Sequence, residues 1–126
     1  MKYLCLIYDE ESTFAAMSRA EVDAIMKEYR TFSDSIRQSG HYIAGHQLAP
    51  VRAASTVRVR NGRMSATDGP FAETKEQLGG YYLIEAADLN EALQIASRIP
   101  SARIGSIEVR PLHESHQQAG TAQADL

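Results

Sequence analysis

The stretch of sequence that decides the fold is residues 18–40, SRAEVDAIMKEYRTFSDSIRQSG. Its apolar side chains recur at spacings of three and four residues, which places them on one face of a helix. These residues are Val22, Ile25, Met26, Tyr29, Phe32 and Ile36. Ser18 and Glu21 have the spacing of a capping box, and Gly40 supplies the left-handed residue at which a helix stops. The stretch therefore predicts one long amphipathic helix with a defined start and end.

Strand patterns lie on both sides of this helix, and a second helix follows. The predicted strands are Lys2–Tyr8, Tyr42–Leu48, Thr56–Arg60, Arg63–Thr67, Tyr81–Glu85 and Ile104–Val109. Asn61-Gly62 joins the third and fourth strands, and this dipeptide is typical of a hairpin with a type I′ turn. Asp88, with Glu91 three residues later, begins a second helix that ends before Pro100.

The order of elements predicts an α+β fold. Each helix connects two strands, and this order suits a ferredoxin-like two-layer sandwich of the dimeric α/β-barrel type, with an inserted β-hairpin. Because both helices cover the same face of the sheet, the other face would expose apolar side chains in a monomer. We therefore predict a homodimer in which the sheets or their edges meet.

Composition predicts one small domain and limits its partners. The chain has 126 residues, which we divide into a domain over 1–112 and a polar, disordered tail over 113–126. Thirteen Lys and Arg against 16 Asp and Glu give a net charge of −3, so neither nucleic acid nor a membrane is an expected partner. The single Cys5 excludes an intrachain disulfide framework, and we interpret it as a core residue. No targeting or membrane-spanning pattern is present, which predicts a cytoplasmic protein.

The most distinctive local sequence is the 68–81 segment, DGPFAETKEQLGGY. It combines turn formers, acidic and basic side chains, and a glycine pair entering a strand, as in loops that build sites. Asp68 is a candidate acid or base if it is partly buried, with Glu73 or Lys75 shifting its pKa. The alternative is structural: Asp68 begins an ordinary turn, Phe71 anchors the loop in the core, and Gly79-Gly80 form a bulge.

Other candidate residues are arginines, histidines and tyrosines. Between Asp34 and Asp68 the chain has five arginines and no acidic residue, and Arg58 is a candidate for holding an anionic substrate. His46 is a candidate acid or base, although a lone histidine is more often a packing residue. Tyr81 is a candidate pocket residue with a phenolic donor. No metal-ligand spacing occurs, and we predict neither a metal nor a cofactor.

At the 68–81 segment the chain resembles the DGPF branch of the YCII-related proteins. The resemblance extends to Met1-Lys2-Tyr3-Leu4 and to Ile107-Glu108-Val109-Arg110-Pro111, and so covers about residues 1–112. It implies a bacterial protein with a dimeric ferredoxin-like fold. Some YCII-related members look like small dehydrochlorinases or lyases that use a His and Asp pair, and many DGPF members are encoded beside extracytoplasmic-function sigma factors. The family's His corresponds to Glu21 and its Asp to about Gln38, so that pair is absent here.

Three hypotheses follow for the function. The first is a cofactor-free, lyase-like enzyme for a small anionic metabolite, with Asp68 as the acid or base, assisted by Glu73 or His46. Arg58, Phe71, Lys75 and Tyr81 would bind its substrate. The second is a ligand-sensing or regulatory dimer that contacts a sigma factor. The third gives the 68–81 segment a role in folding and dimer geometry alone.

Overall fold

The computed structural model describes residues 1–113, which form two sheets and three helices. The strands are β1 (Lys2–Asp9), β2 (Tyr42–Gln47), β3 (Ser55–Arg60), β4 (Arg63–Asp68), β5 (Gln77–Glu85) and β6 (Ser106–Pro111). The helices are α1 (Glu11–Ala15), α2 (Arg19–Gln38) and α3 (Leu89–Ala96), with 3₁₀ turns at Val51–Ala53 and Pro100–Arg103. Residues 114–126, which hold nearly all of the predicted tail, lie outside the described residues.

The main sheet has the order β2-β5-β1-β6, and neighbouring strands are antiparallel. The first strand is therefore central, and β2 is an edge strand that leads out towards Pro50. The α+β class is confirmed, and this strand order is compatible with a ferredoxin-like fold. No helix among residues 1–113 is long and apolar enough to cross a membrane.

The long helix begins and ends where the sequence predicts. The Ser18 hydroxyl accepts from the Glu21 backbone N–H at 3.1 Å, and the Glu21 carboxylate accepts from the Ser18 N–H at 2.9 Å. These hydrogen bonds lower the pKa of Glu21. Gly40 takes the left-handed conformation with φ +83°, which ends the helix after Gln38.

The core lies between the main sheet and helices α2 and α3. Alternate residues of β1, namely Tyr3, Cys5 and Ile7, are buried on the helix-facing side of the sheet. Phe32 and Ile36 of α2 pack against them in one cluster. Leu4, Leu6 and Tyr8 alternate with the buried residues and are only half-buried, so the two faces of the sheet differ sharply in burial.

Two inward-facing positions of the sheet are glycines, and both lie too close to neighbouring atoms to accommodate a Cβ. Gly45 lies opposite Tyr82, and Gly80 lies opposite Ile7. A Cβ on Gly80 would come within 2.9 Å of the His46 carbonyl oxygen, and one on Gly45 within 2.8 Å of the Tyr82 ring. Gly79 lies at the register shift between β1 and β5, so the Gly79-Gly80 pair forms the bulge that the structural interpretation expected.

Four details differ from the sequence prediction. Helix α1 was not predicted, because the acidic run Asp9-Glu10-Glu11 ends a strand pattern and its five residues carry no clear period. Strand β5 begins at Gln77 rather than Tyr81, because pairing with β1 extends into the glycine pair. Strand β6 begins at Ser106 rather than Ile104, since a 3₁₀ turn precedes it. The apolar pattern of the second helix predicts a face of Leu89, Ala92, Leu93, Ala96 and Ile99; Ala92, Ala96 and Ile99 are buried, whereas Leu89 and Leu93 are exposed.

Strands β3 and β4 form a hairpin that is a separate two-stranded sheet. Asn61 and Gly62 both have positive φ, at 52° and 74°, as a type I′ turn requires. One face of the hairpin carries Val57, Val59 and Met64, which are 61%, 58% and 69% exposed. The hairpin therefore presents an apolar face to solvent in a single chain.

The glycine positions of β5 lead to a stability prediction. Gly80→Ala is expected to lower the free energy of unfolding by about 1–3 kcal/mol, because its Cβ would press on the backbone carbonyl of His46. Gly79→Ala is the matched control, since a Cβ there meets nothing within 4 Å. Urea unfolding of both variants measures the difference. Equal stabilities for the two variants would contradict the steric role of Gly80.

Candidate functional site

A cavity of about 790 Å³ lies between α1, α2 and the helix-facing side of the sheet. We call it the α2 cavity, because residues from five positions along that helix line it. These are Val22, Met26, Tyr29, Ser33 and Arg37, which share one face of the helix. The glycines of β2 and β5 lie on the opposite side, where larger side chains would fill the space. The cavity therefore results from a long helix that crosses a glycine-lined part of the sheet.

A carboxylate, a serine and a tyrosine form a hydrogen-bonded chain in the wall of this cavity. Asp9 ends β1, and its Oδ2 accepts a hydrogen bond from the Ser101 hydroxyl at 2.9 Å. The Ser101 and Tyr29 hydroxyl oxygens are 2.5 Å apart. Ser101 has one proton, which it donates to Asp9, so Tyr29 is the donor to Ser101 when Asp9 is ionised. This arrangement leaves the Tyr29 oxygen free to accept a further hydrogen bond.

Asp9 is held in an environment that disfavours its charge. Its Oδ1 is buried and has no hydrogen-bond partner among the described residues. Burial raises the pKa of the carboxyl, the Ser101 hydrogen bond lowers it, and the charge of Glu76 raises it further, with a net upward shift. Gly105 packs against Asp9 Oδ1 and the Tyr8 carbonyl, and only a residue without a Cβ leaves room there. Burial also raises the pKa of Tyr29 to about 12, so this phenol stays protonated at neutral pH.

A second pair of hydroxyls continues along the same face of α2. The Ser33 and Tyr82 hydroxyl oxygens are 2.6 Å apart. One helical turn further, the Arg37 guanidinium lies over the Tyr42 ring, 4.3 Å from its centroid. Asp34 is the ion-pair partner of Arg37, at 3.4 Å, and its side chain is largely exposed. The wall thus changes along α2 from apolar residues, through hydroxyls, to a guanidinium.

The loops around the cavity are connected by hydrogen bonds to the start of α1. The backbone N–H of Glu11 donates to the Gln77 side chain at 2.9 Å, and the Glu11 carboxylate accepts from the Val51 N–H at 3.0 Å. The Lys75 Nζ atom lies 3.9 Å from Glu10 Oε1. Gln77 and Lys75 belong to the 68–81 segment, so this part of the segment holds α1 over the cavity.

Two of the predicted site residues, His46 and Tyr81, contact each other, and both are among the residues that line the α2 cavity. His46 and Tyr81 are cross-strand partners on β2 and β5, and His46 Nδ1 is 2.8 Å from the Tyr81 hydroxyl. Their strands border the cavity, but the alternation along each strand places these side chains on the sheet face opposite to Tyr82. The two residues form a polar pair on the face away from α2.

The other predicted residues lie away from the cavity. Asp68 ends β4 and is exposed, and Glu73 is exposed in the following loop. Arg58 is exposed on the hairpin face opposite to Val57. Phe71 is 79% exposed, which corrects the expectation that it anchors the loop in the core. Glu21 and Gln38, at the positions of the family's His and Asp, cap and end α2 and do not line the cavity.

The residues of the cavity wall were visible in the sequence only in part. Asp9 directly follows an apolar central strand, and Tyr29 is the polar-tipped residue on the apolar face of α2. Arg37 and Arg52, which both line the cavity, belong to the basic interval after Asp34. Ser101 carries no signal of its own, because its role depends on the 3₁₀ turn that places it against Asp9.

The fold and this cavity define a small α+β domain with a partly open cavity between one long helix and an antiparallel sheet. The model of the YCII-related domain matches residues 1–116, and the chain belongs to that family. An uncharacterized protein of Rhizobium meliloti (strain 1021) is 41% identical over 114 residues, which cover 89% of this chain and 92% of that protein.

The remaining chemistry of the described residues is limited. Cys5 is fully buried, and burial raises the pKa of its thiol to about 11, which fits the predicted core role. Residues 1–113 contain no group of three or more His, Cys, Asp or Glu side chains arranged to hold a metal ion.

The raised pKa of Asp9 leads to a prediction on stability. A carboxyl whose pKa is raised on folding stabilises the fold most below its unfolded pKa of about 3.9, and this contribution is lost as the pH rises through the folded pKa. Asp9→Asn removes the buried charge, so its free energy of unfolding should rise relative to that of the wild type between about pH 4 and pH 7. Urea unfolding of the variant and of the wild type across this pH range measures the difference in the free energy of unfolding.

Asp68→Asn is the matched control for this experiment. It makes the same chemical change at an exposed carboxylate, where substitution is expected to alter stability by less than about 0.5 kcal/mol. An Asp9→Asn variant that loses stability relative to the wild type as the pH rises would contradict the unfavourable burial of Asp9.

Proposed function

We propose that this YCII-related protein is a cofactor-free enzyme that moves a proton on a small organic anion bound in the α2 cavity. The observation that carries the proposal is Asp9, a carboxylate with one buried, unpartnered oxygen and a second oxygen joined through Ser101 to Tyr29. A desolvated carboxyl is a suitable general acid or base near neutral pH, because its pKa is shifted towards that range. A lyase-like elimination is the reaction class that fits.

In the proposed step, Asp9 is the base, and it acts through Ser101 and Tyr29. A proton leaves a carbon atom of the substrate. The Tyr29 oxygen accepts this proton, the Tyr29 proton passes to Ser101, and the Ser101 proton passes to Asp9 Oδ2. The electrons of the broken C–H bond form a carbon–carbon double bond as the leaving group departs with its bonding pair. Each hydroxyl gives one proton and receives one, so the net result is a protonated Asp9. Tyr29 is the group that contacts the substrate in this scheme.

The assignment of the acid–base role to Asp68, with Glu73 or His46 assisting, stays a prediction. Its carboxylate is exposed at the end of β4, where water solvates the charge, and it does not line the cavity. Binding of substrate by Arg58, Phe71, Lys75 and Tyr81 likewise stays a prediction. Asp9 is the better candidate because it is both desolvated and connected to the cavity.

The hairpin supports a second proposal, that the chain acts as a homodimer. An isolated two-stranded hairpin is marginally stable in water, and its exposed face of Val57, Val59 and Met64 calls for a partner surface. The half-buried face of the main sheet, with Leu4 and Leu6, is a further apolar surface. The alternative function that these apolar surfaces support is a dimer that senses a ligand and contacts a sigma factor. For the enzyme and for the sensor alike, a cytoplasmic location stays a prediction.

Hydrogen exchange into bound compounds tests the proton-transfer proposal and does not require the substrate to be identified first. The wild-type protein is incubated in D₂O with a panel of small carboxylates that carry an acidic C–H bond, and deuterium uptake is followed by NMR. Asp9→Asn is expected to lower the exchange rate of a responsive compound by at least about 100-fold, because it removes the terminal base. Tyr29→Phe should have a similar effect.

The control for this experiment is a variant of the exposed carboxylate Asp68. Asp68→Asn should exchange at the wild-type rate if Asp9 is the base. Loss of exchange in Asp68→Asn with normal exchange in Asp9→Asn would reverse the assignment. A panel in which the wild type catalyses no exchange would favour the ligand-sensing alternative.

The dimer proposal predicts a change in mass in solution. Light scattering after size exclusion should give twice the chain mass for the wild type. The double substitution Val57→Ser and Met64→Ser should shift the protein towards a monomer, because it removes the apolar face of the hairpin. Leu89→Ser is the control, as Leu89 is an exposed apolar residue on α3. A wild type that stays monomeric would refute the proposal.

A further inference from the structure

The floor of the α2 cavity next to Asp9 includes a glycine, and polar groups lie on both sides of it. Gln47 ends β2 and pairs with Gly80 of β5, which in turn pairs with Ile7 of β1. Neighbouring strands are about 4.8 Å apart, so Gln47 and Ile7 are about 10 Å apart across a residue without a side chain. Asp9 follows two residues after Ile7. A short ligand over Gly80 can therefore reach from the β2 side of the cavity to the Asp9 side.

Arg52 lines the cavity on the β2 side. It lies in the 3₁₀ turn Val51–Ala53, and the Val51 N–H donates to the Glu11 carboxylate at 3.0 Å, which places this turn against the start of α1. Gln47 also lines the cavity, and no hydrogen bond or ion pair of either side chain is found among residues 1–113. The planar guanidinium of an arginine has a fork of donors that matches a carboxylate. The β2 side thus offers a cation and an amide to an anionic group.

The acidic residues at this end of the cavity make a cation necessary for an anionic ligand. Asp9 and Glu11 both line the cavity, and each repels a ligand carboxylate when it is ionised. The Glu11 carboxylate accepts from the Val51 N–H, and Asp9 Oδ2 accepts from Ser101, so neither oxygen needs Arg52 as its partner. The charge of Arg52 therefore allows a small anion to approach Asp9.

Arg37, the other arginine of the cavity wall, is less suitable for a short ligand. Eight residues separate it from Tyr29, which corresponds to about 12 Å along the helix axis. Its guanidinium also has partners, with Asp34 at 3.4 Å and the Tyr42 ring centroid at 4.3 Å. Tyr29 is joined to Asp9 through Ser101, at the end of the sheet against which α1 lies. The reacting group and Arg52 are thus at the same end of the cavity.

From this arrangement we infer that Arg52 binds the carboxylate of a short organic acid, whose carbon chain crosses over Gly80 towards Tyr29. Gln47 donates a further hydrogen bond to this carboxylate from the same side. The inference deepens the proposed function, on which it rests for the reacting group. The carboxylate lies on the β2 side of the cavity, and the C–H bond that reacts lies on the β1 side, beside the Tyr29 hydroxyl.

Titration with butanoate, a short unbranched carboxylate, tests the head group. Binding is followed through the backbone amide signals in NMR, and the signals of Gln47 and Gly80 should shift with the ligand. Butanoate is expected to bind more tightly than butanamide or butylammonium, which have a similar chain with a neutral or a positive head. Equal affinities for butanoate and butylammonium would overturn the inference, and so would the absence of butanoate binding.

Variants then locate the site. Arg52→Gln should weaken butanoate binding by about tenfold and leave butanamide binding unchanged, because it removes a charge-assisted pair. Arg37→Gln changes the other end of the same cavity and should leave butanoate binding at the wild-type level. Arg30→Gln is a further control, since Arg30 is an exposed arginine on α2 that does not line the cavity. Circular dichroism confirms that each variant is folded. Weakening by Arg37→Gln that equals the effect of Arg52→Gln would contradict the assignment.

The binding result and the exchange result fail independently. Asp9→Asn should bind butanoate at least as tightly as the wild type, because it removes a nearby negative charge. Butanoate binding that depends on Arg52, without catalysed exchange in any compound, would leave the carboxylate site intact and refute the proton-transfer proposal. Catalysed exchange with the same KM in Arg52→Gln as in the wild type would refute the carboxylate site and leave the proton-transfer proposal standing.

Discussion

The packing of α2 across the two central strands is the constraint on which the rest of the structure depends. Its buried residues Phe32 and Ile36 lie against the cluster formed by β1 and β5. The helix is 20 residues long and extends beyond this contact. Where it continues over Gly80, the sheet offers no side chain to meet it, so the helix covers a cavity instead of a core. One packing contact thus accounts for both the stable part of the domain and the open part.

The cavity wall contains an arrangement that stability alone does not favour. A buried carboxylate oxygen without a partner destabilises the folded state unless the group takes up a proton. Asp9 nevertheless lies at the end of the central strand, with Ser101 and Tyr29 aligned on its other oxygen. Such costs are common at functional sites, where a shifted pKa or an unsatisfied group is part of the chemistry. This is the physical reason for proposing that the function lies here rather than at the exposed Asp68.

The distinctive 68–81 segment has a structural part and an exposed part. Its glycine pair forms the bulge of β5, and Gln77 ties the start of α1 to the loop. Phe71, by contrast, projects into solvent, on a chain whose hairpin also exposes apolar residues. The turn-forming residues and the glycine pair indicated that this segment has a specific backbone conformation. These residues did not indicate whether that conformation serves catalysis, packing or contact with another chain, because all three roles use the same turn and glycine residues.

The sequence by itself determined the elements whose signals are local. The capping box at Ser18, the stop at Gly40, the Asn61-Gly62 turn and the cap at Asp88 are all formed as predicted, because each depends on residues a few positions apart. The buried positions of α3 were less secure, since Leu89 and Leu93 fit the helical period and yet face solvent. Only the tertiary structure brought together Asp9, Tyr29 and Ser101, which are separated by 20 and 72 residues along the chain. No local sequence pattern predicts this contact, because it depends on how α2 and the turn at Pro100–Arg103 pack on the sheet. The same packing also decides which carboxylate is desolvated.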